Sequence, residues 1–73
     1  MRVNAIAPGI IATAMTEVTR SDPKRLEAFL TRVPLKRVGQ PEELVGPVLF
    51  LCSDWASYVT GAILAVDGGF LAV

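Results

Sequence analysis

Two short apolar segments, Val3–Ala7 and Gly61–Val66, lie near opposite ends of this chain, and the residues between them read as helix and loop. Each segment is closed by a turn signal, Pro8-Gly9 after the first and Asp67-Gly68-Gly69 after the second, the punctuation that ends strands. Two strands joined by a long helical connection run parallel, and such crossovers are almost always right-handed. The pattern predicts one βαβ unit of an α/β protein. Near-continuous apolar strands fit a parallel sheet covered by helices on both faces. The helices of a single crossover cover one face only. The second face therefore asks for layers that the 73 residues do not hold. The first strand begins almost at Met1 with no cap or linker ahead of it, so the chain is expected to be part of a larger domain.

Composition sharpens that expectation. A chain of this size hides only about 60% of the surface it exposes when unfolded, yet 52% of its residues are hydrophobic. Apolar content beyond what a small core can hide predicts surfaces that meet other protein. Seven basic residues balance seven acidic ones, so no net field recruits nucleic acid or an anionic membrane. No apolar run approaches the roughly 18 residues of a membrane-spanning helix.

The single cysteine and the absence of histidine exclude an internal disulfide and a zinc-type cluster, and no metal site is expected. Cys52, in the run Val48–Cys52, reads as a small buried hydrophobe, because no flanking positive charge would activate its thiol. Arg2, the apolar stretch to Ile11 and Ala12-Thr13-Ala14 outline a secretory signal, but Asn4 and Pro8-Gly9 interrupt its apolar core. A cytoplasmic location is the expectation.

Between the strands, Ile10–Arg20 has no clean periodicity and reads as loop with a helical turn. Asp22-Pro23 is a helix start, Asp as N-cap and Pro at the first helical position. Leu26, Phe29, Leu30 and Val33 follow at helical spacing, one apolar stripe that Pro34 ends. Pro41-Glu42-Glu43 starts a second helix, with two carboxylates facing the positive end of its dipole. Leu44, Val45, Val48, Leu49 and Cys52 continue it, apolar nearly all round, which predicts cover on more than one side. Pro47 predicts either a kink or a helix that begins later.

Three stretches together carry a likeness. They are Val3–Gly9 with Ile11 and Thr13; Arg37–Glu43 leading into Val48–Ser53; and Ser57–Gly61 with Val66–Gly69. In this order and spacing the chain resembles the C-terminal portion of a short-chain dehydrogenase/reductase. The resemblance implies a partial Rossmann-type fold, the last two parallel strands with their crossover, across residues 1–73, without a complete dinucleotide-binding domain. It implies NAD or NADP as cofactor, bound beyond the carboxyl ends of the strands. Pro8, Gly9, Ile11 and Thr13 then fall at the nicotinamide end. Pro8 fixes the turn, and Gly9, without a Cβ, admits close approach. The Ile11 backbone matches the position that pairs with the carboxamide, and Thr13 matches a hydroxyl near the cofactor's polar atoms.

The resemblance further implies a small carbonyl or hydroxyl substrate in the intact protein and a variable substrate loop over Ala14–Lys36, with Met15, Phe29 and Leu30 as candidate contacts. Asn4 matches a position that hydrogen-bonds neighbouring backbone. The second helix and last strand match surfaces used for pairing subunits, hence a homo-oligomer or docking on intact subunits. The tail from Gly68 to Val73 is similar to gluconate 5-dehydrogenase-like sugar-acid reductases, with the acyl-carrier reductase type as the close rival.

The family's chemistry needs a glycine-rich phosphate loop, a catalytic Ser and a Tyr-x-x-x-Lys pair, whose Lys lowers the Tyr pKa for general acid/base work. Here the one tyrosine, Tyr58, is followed four residues later by Ala62. No residue of the chain is therefore expected to be catalytic, and the chain alone is expected to be inactive. The alternatives are a non-catalytic interaction or oligomerisation module, or a remnant with no stable fold of its own.

Overall fold

The computed structural model describes residues 1–72. Its two strands, β1 (Ala5–Pro8) and β2 (Ile63–Val66), pair in parallel with Ala5 opposite Ile63 and Pro8 opposite Val66. The crossover holds a 3-10 turn at Ala14–Thr16, then α1 (Glu17–Ser21) and α2 (Pro23–Thr31). A second 3-10 turn at Pro41–Leu44 leads into α3 (Val45–Cys52), and a short turn at Asp54–Ala56 returns the chain to the sheet. After β2 comes a last 3-10 turn, Phe70–Ala72. This is the single βαβ unit that the pattern of apolar segments predicts.

Both strands are shorter than the apolar segments, for a local reason. Asn4 takes the place of the ladder at its start. Its Nδ2 donates to the Val59 carbonyl at 3.1 Å and its Oδ1 accepts from the Ala62 amide at 2.9 Å. On the partner segment, Gly61 has φ +74°, outside the extended region, so regular pairing begins at Ala5 opposite Ile63. The amides of Ala5 and Gly9 donate to Ala62 and Val66 carbonyls at 2.9 and 3.0 Å. Odd-numbered N–H groups therefore face β2, and Pro8 stands where the missing N–H lies on the open edge.

Asp22 caps α2 as its spacing predicts, Oδ1 accepting from the amides of Lys24 and Arg25 at 3.1 and 3.4 Å. The helix ends at Thr31, before the last member of its apolar stripe. The amides of Arg32 and Val33 turn to carbonyls three residues back, and Pro34 disfavours helical backbone at Val33. Val33 nonetheless is the most deeply buried large side chain, 2% exposed. α3 begins at Val45, so Pro47 lies in its first turn, where no intrahelical donor is needed. Of the two outcomes predicted for Pro47, the later start is the one observed. At its other end Arg2 donates to the carbonyls of Leu51, Ser53 and Val59 at 3.0, 3.2 and 3.3 Å, a cationic cap on the negative end of the helix.

The core is small. Ile10, Ile11, Val33 and Ala56 are its buried apolar residues. On the sheet, Ile6, Leu64 and Val66 are half-buried, whereas Ala5, Ile63 and Ala65 on the other face are exposed. The accessible surface is 5450 Å², against about 4,400 Å² for a compact protein of this mass. α3 is also uncovered, with Val45, Val48, Leu49 and Phe50 exposed. Cys52 is exposed too, which corrects its reading as a buried hydrophobe. It sits at the end of α3, a helix whose outer side no described residue packs against. No helix among the described residues is long and apolar enough to cross a membrane.

Candidate functional site

The carboxyl ends of β1 and β2 are built into one unit by close backbone contact. A Cβ on Gly9 would lie 2.8 Å from the Cα of Asp67, so only glycine lets the two strand ends sit side by side. Asp67 in turn organises the segment after β2. Its Oδ1 accepts from the Gly69 amide at 2.9 Å and its Oδ2 from the Leu71 amide at 3.1 Å. Gly68 and Gly69 have φ of +66° and +96° and press against Val33 and Pro34, and the Leu35 amide donates to the Gly68 carbonyl at 3.0 Å. The turn after β2 is thereby locked onto the end of the crossover helix. Phe70, presented by this turn, stacks on Phe29 of α2 with centroids 5.5 Å apart, and the Arg32 guanidinium lies 5.0 Å from its centroid.

Beyond Pro8-Gly9 the chain stays extended and pairs with Gly39. The Gly39 amide donates to the Ile10 carbonyl at 3.0 Å and the Ala12 amide to the Gly39 carbonyl at 2.9 Å. In this bridge the polar groups of Ile11 itself point away from Gly39. Its carbonyl accepts from Thr16 Oγ1 at 2.5 Å. Its N–H finds no acceptor among the described residues, although the residue is only 8% exposed. Ile11 lines an open cleft at the strand ends, so this donor is free to meet a ligand there. Thr16 also accepts from the Thr13 amide at 3.2 Å and from Arg20 Nε at 3.0 Å, and Arg20 Nη2 donates to the Thr13 carbonyl at 2.7 Å. The loop is thus held by α1.

Two open clefts of about 540 Å³ each flank the strand ends. Pro8 and Gly9 line the one that reaches to Thr19, Phe29 and Phe70. Ile11 lines the other, beside Leu35 and the Arg37–Glu43 pair. Thr13 is exposed and lines neither. The structure therefore gathers three of the four candidate residues around one strand end and leaves Thr13 at its margin. Met15 is exposed, whereas Phe29 and Leu30 are half-buried.

Arg37 meets Glu43 through two hydrogen bonds of 2.7 and 2.8 Å. This pairing, helped by the Gln40 amide, pushes the Glu43 carboxyl down to about 2, and it raises the Arg37 guanidinium above its ordinary value. The pair closes the loop ahead of α3. No group of acidic, Cys or His side chains among the described residues could hold a metal ion.

Residues 1–71 match the family model of the short-chain dehydrogenases described as enoyl-(acyl carrier protein) reductase. The chain belongs to the short-chain dehydrogenase/reductase family. Among curated members, it is 54% identical over 70 residues to galactitol 2-dehydrogenase (L-tagatose-forming) of Cereibacter sphaeroides, covering 96% of this chain and 28% of that protein. It is likewise 54% identical over 71 residues to 2-dehydro-3-deoxy-D-gluconate 5-dehydrogenase of Pseudoalteromonas atlantica, covering 97% and 28%. A provisionally assigned 2-deoxy-D-gluconate 3-dehydrogenase of Agrobacterium tumefaciens, solved with NADP bound, superposes with a TM-score of 0.96 at 53% identity, over 99% of this chain and 29% of that one. The chain thus spans little more than a quarter of the length of these short-chain dehydrogenases. The fold is a piece of their Rossmann-type architecture, and the likeness to gluconate-type members stands.

Sequence reasoning missed Thr16, Asp67 and Phe70 as organisers of the site. The Thr13-x-x-Thr16 spacing carried a capping signal ahead of α1. Asp67 before two glycines carried an Asx-turn signal. The partner of Phe70 carried none, because Phe29 lies far away in sequence.

Proposed function

We propose that this chain forms the nicotinamide-facing wall, the substrate loop and part of the subunit interface of an NAD(P)-dependent oxidoreductase acting on a carbonyl or hydroxyl carbon. Residues 1–73 are on this reading the last strand–crossover–strand unit of a Rossmann-type domain, and the phosphate loop and acid/base residues lie outside it. The observation that carries the reading is the unpaired N–H of Ile11. An unpaired donor beside the carboxyl end of a parallel strand suits an amide-bearing ligand, and the nicotinamide carboxamide is one. Pro8 and Gly9 shape the neighbouring cleft, and Thr13 extends the same segment. Gly9 owes its missing side chain to Asp67, so its support for the reading is its place in the cleft. The cofactor supplies hydride transfer, while this chain's residues bind and orient.

Grafting tests the proposal. Residues 1–72 replacing the matching segment of the Cereibacter galactitol 2-dehydrogenase should give an enzyme that turns over NAD(P), while the 73-residue chain alone shows none. NAD(P)H oxidation by the chain itself, or a folded graft that binds no cofactor, contradicts it.

A second reading has its own support. The surplus of roughly 1,000 Å² over a compact protein of this mass and the exposed Leu49, Trp55, Tyr58 and Ile63 suit a non-catalytic module. It would dock on intact subunits of its own family or on itself.

A further inference from the structure

We infer that Arg20 is a positioning residue for the cofactor end of the chain. Acting through the Thr16 hydroxyl, its guanidinium fixes the backbone of Ile11 to Thr13 in the shape that a ligand meets. The inference rests on the proposed function, because it takes that backbone as part of the cofactor wall.

α1 buries none of its five residues, so packing gives so short a helix little reason to form. What it supplies is Arg20. The side chain is half-buried and makes no ion pair among the described residues. From the last turn of α1 it reaches back along the chain. Its Nε donates to Thr16 Oγ1 at 3.0 Å and its Nη2 to the Thr13 carbonyl at 2.7 Å. A rigid fork of donors meets both acceptors at once, and a lysine ammonium, a single point on a flexible stem, does not reproduce it.

The fork also settles where the Thr16 proton goes. Arg20 Nε and the Thr13 amide can only donate, so together they fill the two lone pairs of Oγ1. The hydroxyl proton is left for a carbonyl. That of Thr13 is met more closely by Arg20, at 2.7 against 3.1 Å, and the proton goes to the Ile11 carbonyl at 2.5 Å. Donation therefore runs from Arg20 to Thr16 to Ile11, strengthened by the charged donor at its head. Gly39 holds the same stretch from the other side, through the Ile10 carbonyl and the Ala12 amide. Removing Arg20 frees the hydroxyl to rotate and leaves the Thr13 carbonyl to donors of Thr16 alone. The segment beyond the bridge then loosens while the bridge itself stays.

Kinetics of the graft carrying residues 1–72 test this, because lost positioning raises the cofactor KM whereas lost folded enzyme lowers kcat. Arg20→Ala should raise KM for NAD(P)H about threefold or more, the scale of one net hydrogen bond, with kcat unchanged. Arg20→Lys should raise it as well. Thr16→Val should match Arg20→Ala, Thr16→Ser should keep the native KM, and the double variant R20A/T16V should be no worse than either single one. In the full 73-residue chain, hydrogen exchange at the Thr13 amide should quicken about fivefold in Arg20→Ala and stay unchanged at Ala7. An unchanged KM, a lowered kcat at constant KM, additive effects, a native KM in Arg20→Lys or unaltered exchange at Thr13 overturns the inference. Ile11→Pro in the same graft separates the two ideas. A rise in KM for Ile11→Pro but not for Arg20→Ala overturns the inference alone, and no rise for either overturns the cofactor reading with it. A rise for Arg20→Ala alone shows a route that bypasses Ile11, and overturns the inference too.

Discussion

Gly9 and Asp67 stand so close at the ends of β1 and β2 that a methyl group on Gly9 would come within 2.8 Å of the Asp67 Cα. That contact joins the turn after one strand to the turn after the other, and through Asp67 it reaches Phe70 and α2. Because the obstructing atom is backbone, Gly9→Ala cannot be absorbed by a side-chain rotation. We expect a loss of about 1–3 kcal/mol, the usual cost of overpacking, read as a lower urea midpoint. An unchanged midpoint would show that the strand ends are free to part.

Arg2 holds the end of α3 through three carbonyls contributed by residues some 50 positions away. Hydrogen bonds from a charged donor are stronger than neutral ones, and truncation strands the acceptors. Arg2→Met, which keeps the apolar stem, should cost about 1–3 kcal/mol in thermal unfolding. Hydrogen exchange should quicken first at Leu51 to Ser53. Uniform exchange across the chain would argue against a local cap.

Glu43 gives a pH signature. Its carboxyl is depressed to about 2 in the folded chain, first by hydrogen bonding to Arg37 and then by the Gln40 amide. A group with a lowered folded pKa contributes stability above its unfolded value near 4.3 and loses it as pH falls toward the folded value. Stability should therefore decline between pH about 4.5 and 2 in the native chain. In Glu43→Gln that part of the decline should be absent. Both side chains are about half exposed, so the effect should shrink at high salt. Identical acid profiles for the two proteins would contradict the pairing.

The uncovered sheet face and α3 predict association. Size-exclusion chromatography should show self-assembly, or complex formation with a full-length member of the family. Leu49→Lys, on the exposed side of α3, should reduce it. A well-folded monomer at all concentrations that ignores such a partner would leave the exposed apolar surface without a role.

The βαβ pattern, the Asp22-Pro23 helix start and the tolerance of Pro47 were legible because each depends on neighbours within one helical turn or one strand. Asn4 as a bonding partner of nearby backbone was legible from the family likeness alone. Contacts between distant segments escaped. The cap by Arg2, the Phe29–Phe70 stack and the Gly9–Asp67 approach require the crossover to be closed before the partners meet. Cys52 was misplaced for a related reason: apolar neighbours in sequence imply burial only where another layer is present to bury them. At the site, the residue types around Pro8-Gly9 were readable, but the unpaired Ile11 N–H arises from the bridge to Gly39.

That N–H offers the most direct test of the central claim. In the graft carrying residues 1–72, Ile11→Pro removes the donor and spares the hydrogen bonds of the Gly39 bridge, which use the Ile10 carbonyl and the Ala12 amide. We predict that KM for NAD(P)H rises about tenfold, the worth of one lost hydrogen bond at roughly 1.4 kcal/mol, while Ile11→Val leaves it unchanged. An unaltered cofactor KM in a folded Ile11→Pro graft would contradict the account.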